Sequence, residues 1–390
     1  MINLSDYHRS IEILRKASTP DGFVASLQEQ DNYRRIWTRD GTINSLAALL
    51  SGEADLIVTV QATLHTIFKN QHPVGFMPSN VSPGKGVSYG GTVGRADNPS
   101  WAVIGLCQYT LLQNDRSLAQ TYIHQVEKCF SVMDAWEYNG KQLLYVPQSG
   151  DWADEYIQHG YILFNQLLRV WALRLAGLVY EKENWLIKAR AVQQVIENNF
   201  WNRLGTGPLY APNLKHQLDA APQGYWLMGF NPARIYHQFD LQANCLAILL
   251  GIGNAEENKE AFQYIQGHAL RKQSMLASFY PTINYADADM KELENNFAYN
   301  FRNKPNEFHN GGLWPVWNGF LAAAAMQSGD TDFATTVTTQ IEAGNRKNNF
   351  QYNECLHGET GEPIGVPHCT WSAGGHVLAI NYLEGKRLFT

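Results

Sequence analysis

The chain has little with which to staple itself. Its 390 residues hold five cysteines (Cys107, Cys129, Cys245, Cys355, Cys369), odd in number and scattered. That speaks against a disulfide framework and for a reducing compartment, with the cytoplasm as the expected location. No apolar run reaches the roughly 18 residues of a membrane span, so no membrane partner is expected. The start, Met1-Ile2-Asn3-Leu4-Ser5-Asp6, lacks a basic stretch followed by an apolar one, and no signal peptide is expected. Positive charge is also short. Lys and Arg number 30 against 36 Asp and Glu, a net charge of −6 with no basic stripe, which excludes nucleic acid as an expected partner. There is no Walker loop, no Gly-x-Gly-x-x-Gly and no Gly-x-Ser-x-Gly elbow. Cys355-x-His357 with His368-Cys369 matches no common zinc spacing, so no metal site is expected.

What the chain does have is aromatic residues, 12% of the total, with eleven tryptophans. A large helical core would use them, and so would a cleft whose walls stack on sugar faces. At 390 residues the chain could be two average domains or one large repetitive one. No linker or low-complexity segment divides it, so residues 1–390 are expected to form a single catalytic domain. Helical periodicity dominates. Twelve helices are predicted near residues 5–17, 41–52, 55–69, 99–114, 116–136, 160–181, 184–201, 240–251, 256–270, 313–327, 331–346 and 371–383. Strand signals are few, short and confined to the connections.

The loops before alternate helices hold the unusual residues: Arg39-Asp40-Gly41, Asp97-Asn98-Pro99-Ser100-Trp101, Asp154-Glu155, Phe239-Asp240, His309-Asn310-Gly311-Gly312 and Thr370-Trp371-Ser372. The alternation holds six times. Six hairpins whose second helices run parallel in an inner ring would bring all six loops to one end, where a rigid scaffold presents functional residues. The expected fold is therefore all-α, a six-hairpin toroid.

Glycosidic cleavage needs a carboxylic acid to protonate the leaving oxygen and a second carboxylate across the sugar ring. For the acid, Ser149-Gly150-Asp151-Trp152-Ala153-Asp154-Glu155 offers Asp151, Asp154 and Glu155. Crowded carboxylates raise one another's pKa, so one can stay protonated. Asp154 is preferred as the one nearest the helix start. For the base, Glu354 sits between Trp314, Trp317 and Trp371 in the neighbouring sequence. Glu359 and Glu362 flank a turn, Thr360-Gly361-Glu362-Pro363, and read as surface positions. In Trp37-Thr38-Arg39-Asp40, the arginine fork and the carboxylate suit vicinal hydroxyls, and Asp97 could do the same.

At these residues the sequence resembles the alkaline/neutral invertases, glycoside hydrolase family 100, within the wider group of (α/α)6-barrel glycosidases. The matching segments are Trp37-Thr38-Arg39-Asp40, Phe76-Met77-Pro78-Ser79, Tyr89-Gly90 through Gly94-Arg95 to Asp97, Phe239-Asp240-Leu241 with Asn244, Phe308 to Pro315, and Glu354 with Thr360-Gly361 and Thr370-Trp371-Ser372. They run in order over residues 31–385. The resemblance implies an inner and an outer ring of six helices each, and inversion at the anomeric carbon. It implies Asp154 as general acid and Glu354 as general base, with Arg39, Asp40, Asp97 and His309 near the glucosyl unit. In the invertases an arginine pair follows the acid. Here Glu155-Tyr156 follow and Asp151-Trp152 precede, which puts recognition of fructose in doubt.

The expected activity is inverting, exo-acting release of glucose from a small α-glucoside, with sucrose the first guess and no metal or organic cofactor. An α-glucosidase or debranching-type hydrolase of another α-glucoside is the nearest alternative. A sugar epimerase using His309 and His368, or a non-catalytic sugar-binding protein, are the alternatives of another class. Trp37, Arg39, Asp40, Asp97, Asp151, Trp152, Glu155, Tyr156, Asp240, His309, Trp314 and Trp371 are the expected substrate contacts. The expected partner is a small oligosaccharide or glucoside, with self-association left open.

Overall fold

A computed structural model describes residues 4–201, 210, 214, 224–272 and 275–390. Among them are twelve long helices in the predicted places: α1 (Leu4–Ala17), α2 (Thr38–Ser51), α3 (Ala54–Lys69), α4 (Asn98–Gln113), α5 (Ser117–Ala135), α6 (Leu163–Val179), α7 (Glu183–Asn199), α8 (Leu241–Leu249), α9 (Ala255–Lys272), α11 (Pro315–Gln327), α12 (Thr331–Phe350) and α13 (Thr370–Leu383). One short helix was not foreseen, α10 (Met290–Glu294), within the long connection to α11. One predicted start and one predicted end differ in ways that matter. The helix expected from 160 begins at Leu163, because Tyr161–Ile162 is spent in a strand pair. That puts a turn and a strand between Asp154 and the helix. The last turn of α12 is broken at Lys347, Asn348 and Asn349, which leave helical angles.

Two kinds of helix alternate. α2, α4, α8, α11 and α13 are buried on almost every face, and α6 nearly so. A helix apolar all round belongs inside. The other six carry an apolar stripe, as α3 does with Leu56, Val60, Leu64, Ile67 and Phe68. The buried helices pack in sequence, α2 on α4, α4 on α6, α6 on α8, α8 on α11, α11 on α13, and α13 back on α2. The ring closes. Each has an outer partner, and α1, at the start of the chain, packs on α13 at its end. The fold is an (α/α)6 barrel. Gly375 of α13 fits the seam with α11, where a β-carbon would fall 2.6 Å from Val316 Cα. The Gly374-Gly375 pair thus serves helix packing.

Short strand pairs form a collar at the N-terminal ends of the inner helices. Ile36–Trp37, just before α2, pairs with Asn80–Ser82. Tyr161–Ile162, before α6, pairs with Gly229–Phe230. Phe239–Asp240, before α8, pairs with Phe279–Tyr280. Leu313 bridges Ala277 and Leu356 before α11, and Cys369 bridges Ser26 before α13. Before α4, the Ala96 N–H donates to the Gly150 carbonyl at 2.6 Å, tying that loop to the acid loop. All six motif-bearing loops are therefore gathered at one end.

Candidate active site

The base candidate is set by backbone. The Glu354 N–H donates to the Val366 carbonyl at 2.8 Å, while Leu356 exchanges hydrogen bonds with Leu313 at the start of α11. The Glu354 carboxylate accepts from the Tyr33 hydroxyl on Oε1 at 2.9 Å and from the Val366 N–H on Oε2 at 3.3 Å. Gly365, at φ +72°, leaves it room, since a β-carbon there would sit 2.8 Å from Oε2. Burial pushes the Glu354 carboxyl up to about 7, against the pull of the Arg302 guanidinium and the Tyr33 hydroxyl. Glu359 and Glu362 are on the surface, as the turn implied.

The acid loop carries two different aspartates. Asp151 is 1% exposed and both its oxygens are occupied, Oδ1 by the Ala153 N–H at 3.0 Å and Oδ2 by Gln158 Nε2 at 2.8 Å. Burial, and then the Asp97 charge, push its carboxyl up to about 7. Asp154 has a side chain 33% exposed and a single protein partner among the described residues, Arg95, whose Nη2 meets Oδ2 at 2.6 Å. Electrostatics mark Asp151 as the proton holder; access marks Asp154. Glu155 is buried and clamped by Arg302, through Nε at 3.2 Å and Nη2 at 3.1 Å. Tyr156 is fully buried and stacked on Phe279 with centroids 4.4 Å apart.

Arg39, at the start of α2, faces two carboxylates: Asp40 at 3.3 Å and Asp97 at 3.7 Å. Its guanidinium also lies 5.3 Å over the Trp371 ring. Asp97 precedes α4 but makes no capping bond. Burial raises the Asp40 and Asp97 carboxyls, with the Arg39 charge acting the other way. Asp240 does cap its helix, accepting the Ala243 N–H at 2.8 Å. His309 lies parallel to Trp314 at 5.5 Å and edge-on to Trp152 at 5.1 Å. Burial and two nearby guanidinium groups, Arg302 and Arg39, hold it well below the usual histidine range, so it is neutral at pH 7. Trp152 also meets Trp314 and Trp317 edge-on at 5.3 and 5.0 Å, and Trp371 closes the box on both. Trp37, half-buried, donates its indole N–H to the Asn32 carbonyl at 3.1 Å.

A buried polar atom without a partner costs about 1–3 kcal/mol and calls for an explanation. Nine such atoms without a hydrogen bond belong to the motif residues: both Asp97 oxygens, Asp40 Oδ2, Asp240 Oδ2, Arg39 Nε, His309 Nδ1 and the indole N–H groups of Trp152, Trp317 and Trp371, with Asp40 and Asp97 facing the Arg39 charge. Acceptors, donors and ring faces on neighbouring residues suit a ligand rich in hydroxyls on an apolar frame. An open groove of about 700 Å³ lies elsewhere, between α3 and the Asn80–Ser88 hairpin, and has none of these groups. Sequence reasoning missed Tyr33 and Arg302 entirely. Arg95 lay inside a matched motif, but nothing in the sequence pointed to its pairing with Asp154.

Comparison with known proteins agrees with this picture. The sequence model of the alkaline and neutral invertase family matches residues 210–385, the stretch that carries Asp240, His309, Trp314, Glu354 and Trp371. A probable alkaline/neutral invertase D of Arabidopsis thaliana is 23% identical over 94% of this chain and 79% of its own length. Cytosolic invertase 1 of Oryza sativa subsp. japonica is 21% identical over 94% of the chain and 75% of its own. Among solved structures, a GH63 mannosylglycerate hydrolase from Thermus thermophilus, in complex with Tris and D-glycerate, superposes with a TM-score of 0.69 at 13% identity, covering 96% of this chain and 99% of that one. A bacterial glucoamylase complexed with acarbose gives a TM-score of 0.65 at 16% identity, covering 98% of this chain and 56% of that one. The resemblance to the alkaline/neutral invertases is borne out, and the family match and relatives together support a glycoside hydrolase.

Proposed function

We propose that the chain is an inverting, exo-acting glycosidase that releases glucose from a small α-glucoside, with sucrose the first substrate to test. The whole chain would act as one catalytic domain. The observation that carries the reading is the set of unpartnered buried groups between the Asp154 loop and Glu354. Arg39, Asp40 and Asp97 would take the hydroxyls of the non-reducing ring, and neutral His309 would give or accept one more. Glu354 takes a proton from a water as that water attacks the anomeric carbon. Asp154 gives its proton to the departing glycosidic oxygen, so the bond breaks without releasing an alkoxide. Asp154 is preferred over Asp151 because Asp151 is enclosed with both oxygens engaged. The indole and imidazole faces exclude water from the far side of the ring.

The clamp of Arg302 on Glu155 supports an aglycone other than fructose, since the invertase arginine pair is absent from this loop. Another α-glucoside is therefore the second reading. Five free, buried cysteines fit a reducing location such as the cytoplasm, and no helix among the described residues is long and apolar enough to cross a membrane. The test is glucose release from a panel of small α-glucosides, with the anomer followed by NMR in the first minutes. β-Glucose should appear first. Early α-glucose would mean retention and overturn the mechanism.

A further inference from the structure

Beside the acid loop lies a cavity of about 320 Å³ that the mechanism above does not use. Five aromatic residues line it: Phe76, Tyr89, Trp136, Tyr138 and Tyr145. Phe76 and Trp136 are parallel, with centroids 6.0 Å apart and planes 7° apart. The Tyr145 N–H donates to the Trp136 carbonyl at 2.9 Å, fixing the two sides of the hairpin that carries the rings. Tyr138 is 77% exposed, a large ring left in water.

The cavity is joined to the chemistry by Arg95, which lines it and also grips Asp154. Pro147, in the same wall, accepts the Gly150 N–H at 2.9 Å, so that wall is the acid loop itself. The cavity therefore stands on the acid's side of the site, where the leaving group departs.

Its chemistry narrows the occupant. Arg95 is the one charged residue in the lining among the described residues; its charge is paired with Asp154, and both terminal nitrogens are engaged while Nε has no partner. Nη1 donates to the carbonyls of Gly90, Gly94 and Ser149, and Nη2 to Asp154. With no free charge the cavity suits a neutral ligand. Flat ring faces next to tyrosine hydroxyls suit a molecule with an apolar face and a polar edge, which is a sugar ring. The volume is at the low end of ligand sites, which run about 300–1,000 Å³, so it fits one ring and not a chain. We propose that this cavity binds a sugar ring of the leaving group, making the substrate a glucosyl-oligosaccharide and not a glucoside of a small non-sugar alcohol. This rests on the glycosidase reading above and deepens it.

The experiment compares α-glucosyl fluoride, whose leaving group has no ring, with sucrose, trehalose, maltose and maltotriose. Two variants are used. Tyr138→Ala removes an exposed ring, and Val93→Trp fills the cavity from a lining position that is 42% exposed. One aromatic contact changes binding by about 2- to 10-fold. The ratio of kcat/KM for the best sugar substrate to that for the fluoride should fall by about that factor in Tyr138→Ala, and further in Val93→Trp. An unchanged ratio in both variants overturns the proposal. Cleavage of the fluoride with no turnover of any sugar also overturns it, and leaves the glycosidase reading standing. Failure to cleave even the fluoride overturns that reading itself.

Discussion

Replacing Tyr33 by Phe removes one hydroxyl and should move the acid limb of the pH profile upward. Tyr33 donates to Glu354 Oε1 at 2.9 Å, and its own proton is secure, because burial and the Glu354 charge hold the phenol well above its usual pKa. The hydroxyl stabilises the ionised base. Apart from it, the carboxylate has the longer bond from the Val366 N–H, at 3.3 Å, and the nearby Arg302 charge. A hydrogen bond to a charged group is worth about 1.5–3 kcal/mol. At 1.36 kcal/mol per unit, losing it raises the carboxyl by about one to two pKa units.

The wild-type group titrates at about 7. A base works only when ionised, so activity is present above that value and falls about tenfold per pH unit below it. In Tyr33→Phe the limb should centre near 8 or higher. At pH 6 the variant should lose roughly tenfold or more relative to wild type, and at pH 9 most of the loss should be recovered. Initial rates of glucose release across pH 5–9.5, fitted for the limb, are sufficient. A uniform loss at every pH, or a limb that stays put, would refute the claim that Tyr33 acts through the Glu354 proton.

Glu354→Gln should abolish turnover and keep sugar binding, as calorimetry would show. It should also stabilise the fold at high pH. The folded carboxyl sits at about 7 against an ordinary 4.5, so ionising it in place costs about 3 kcal/mol. A raised carboxyl costs nothing below pH 4.5 and the full amount above 7, so the gain in Tm should grow between those values and then level off. Asp154→Asn should slow sugar substrates far more than α-glucosyl fluoride, which leaves without a proton; the same pattern in Asp151→Asn alone would move the acid to Asp151. Arg39→Lys replaces a fork between Asp40 and Asp97 with a point charge. It should lower kcat/KM about tenfold or more for every aglycone alike, and unequal losses would place Arg39 on the leaving-group side.

The twelve helices were legible because two kinds of burial leave two kinds of pattern. Helices such as α11, with Phe320-Leu321-Ala322-Ala323-Ala324-Ala325, are apolar on every side, and helices such as α3 are apolar on one. The polar loop residues then mark which end is which. The collar was not legible, because a two-residue strand such as Tyr161–Ile162 carries no periodicity of its own. The partners were hidden for a different reason. Tyr33 lies 321 positions from Glu354, and Arg302 lies 147 from Glu155. Each is one residue in a connection with no repeat, and only ring closure brings it to its partner. Asp97 shows the converse. Its sequence context allowed a helix cap, but it makes no capping bond and faces Arg39 instead, which fits the ligand contact proposed for it.

Commitment to protein partners, more than residue type, separates the proposed site from structural groups in this molecule. Ser10 Oγ lies 2.8 Å from His376 Nδ1, and His376 Nε2 lies 3.5 Å from Glu342 Oε1. The order serine, histidine, carboxylate is that of a nucleophile with its base and orienting group. All three are buried, and Ser10 Oγ also meets the Tyr352 hydroxyl at 3.1 Å. The Ser10 hydroxyl is engaged by Tyr352 and His376 together, so the relay ties α1 and α12 to α13 where the ring closes. The same argument favours Asp154 over Asp151 as the acid of the proposed mechanism. Asp151 has the protonation an acid needs, but its oxygens are committed to Ala153 and Gln158 inside the loop. Near Asp97 and Asp154, a protonated Asp151 also limits the negative charge gathered around Arg39. Asp154 is the group with an oxygen left over and a path to solvent. A buried acid can brace the loop, and the exposed one can meet the leaving oxygen.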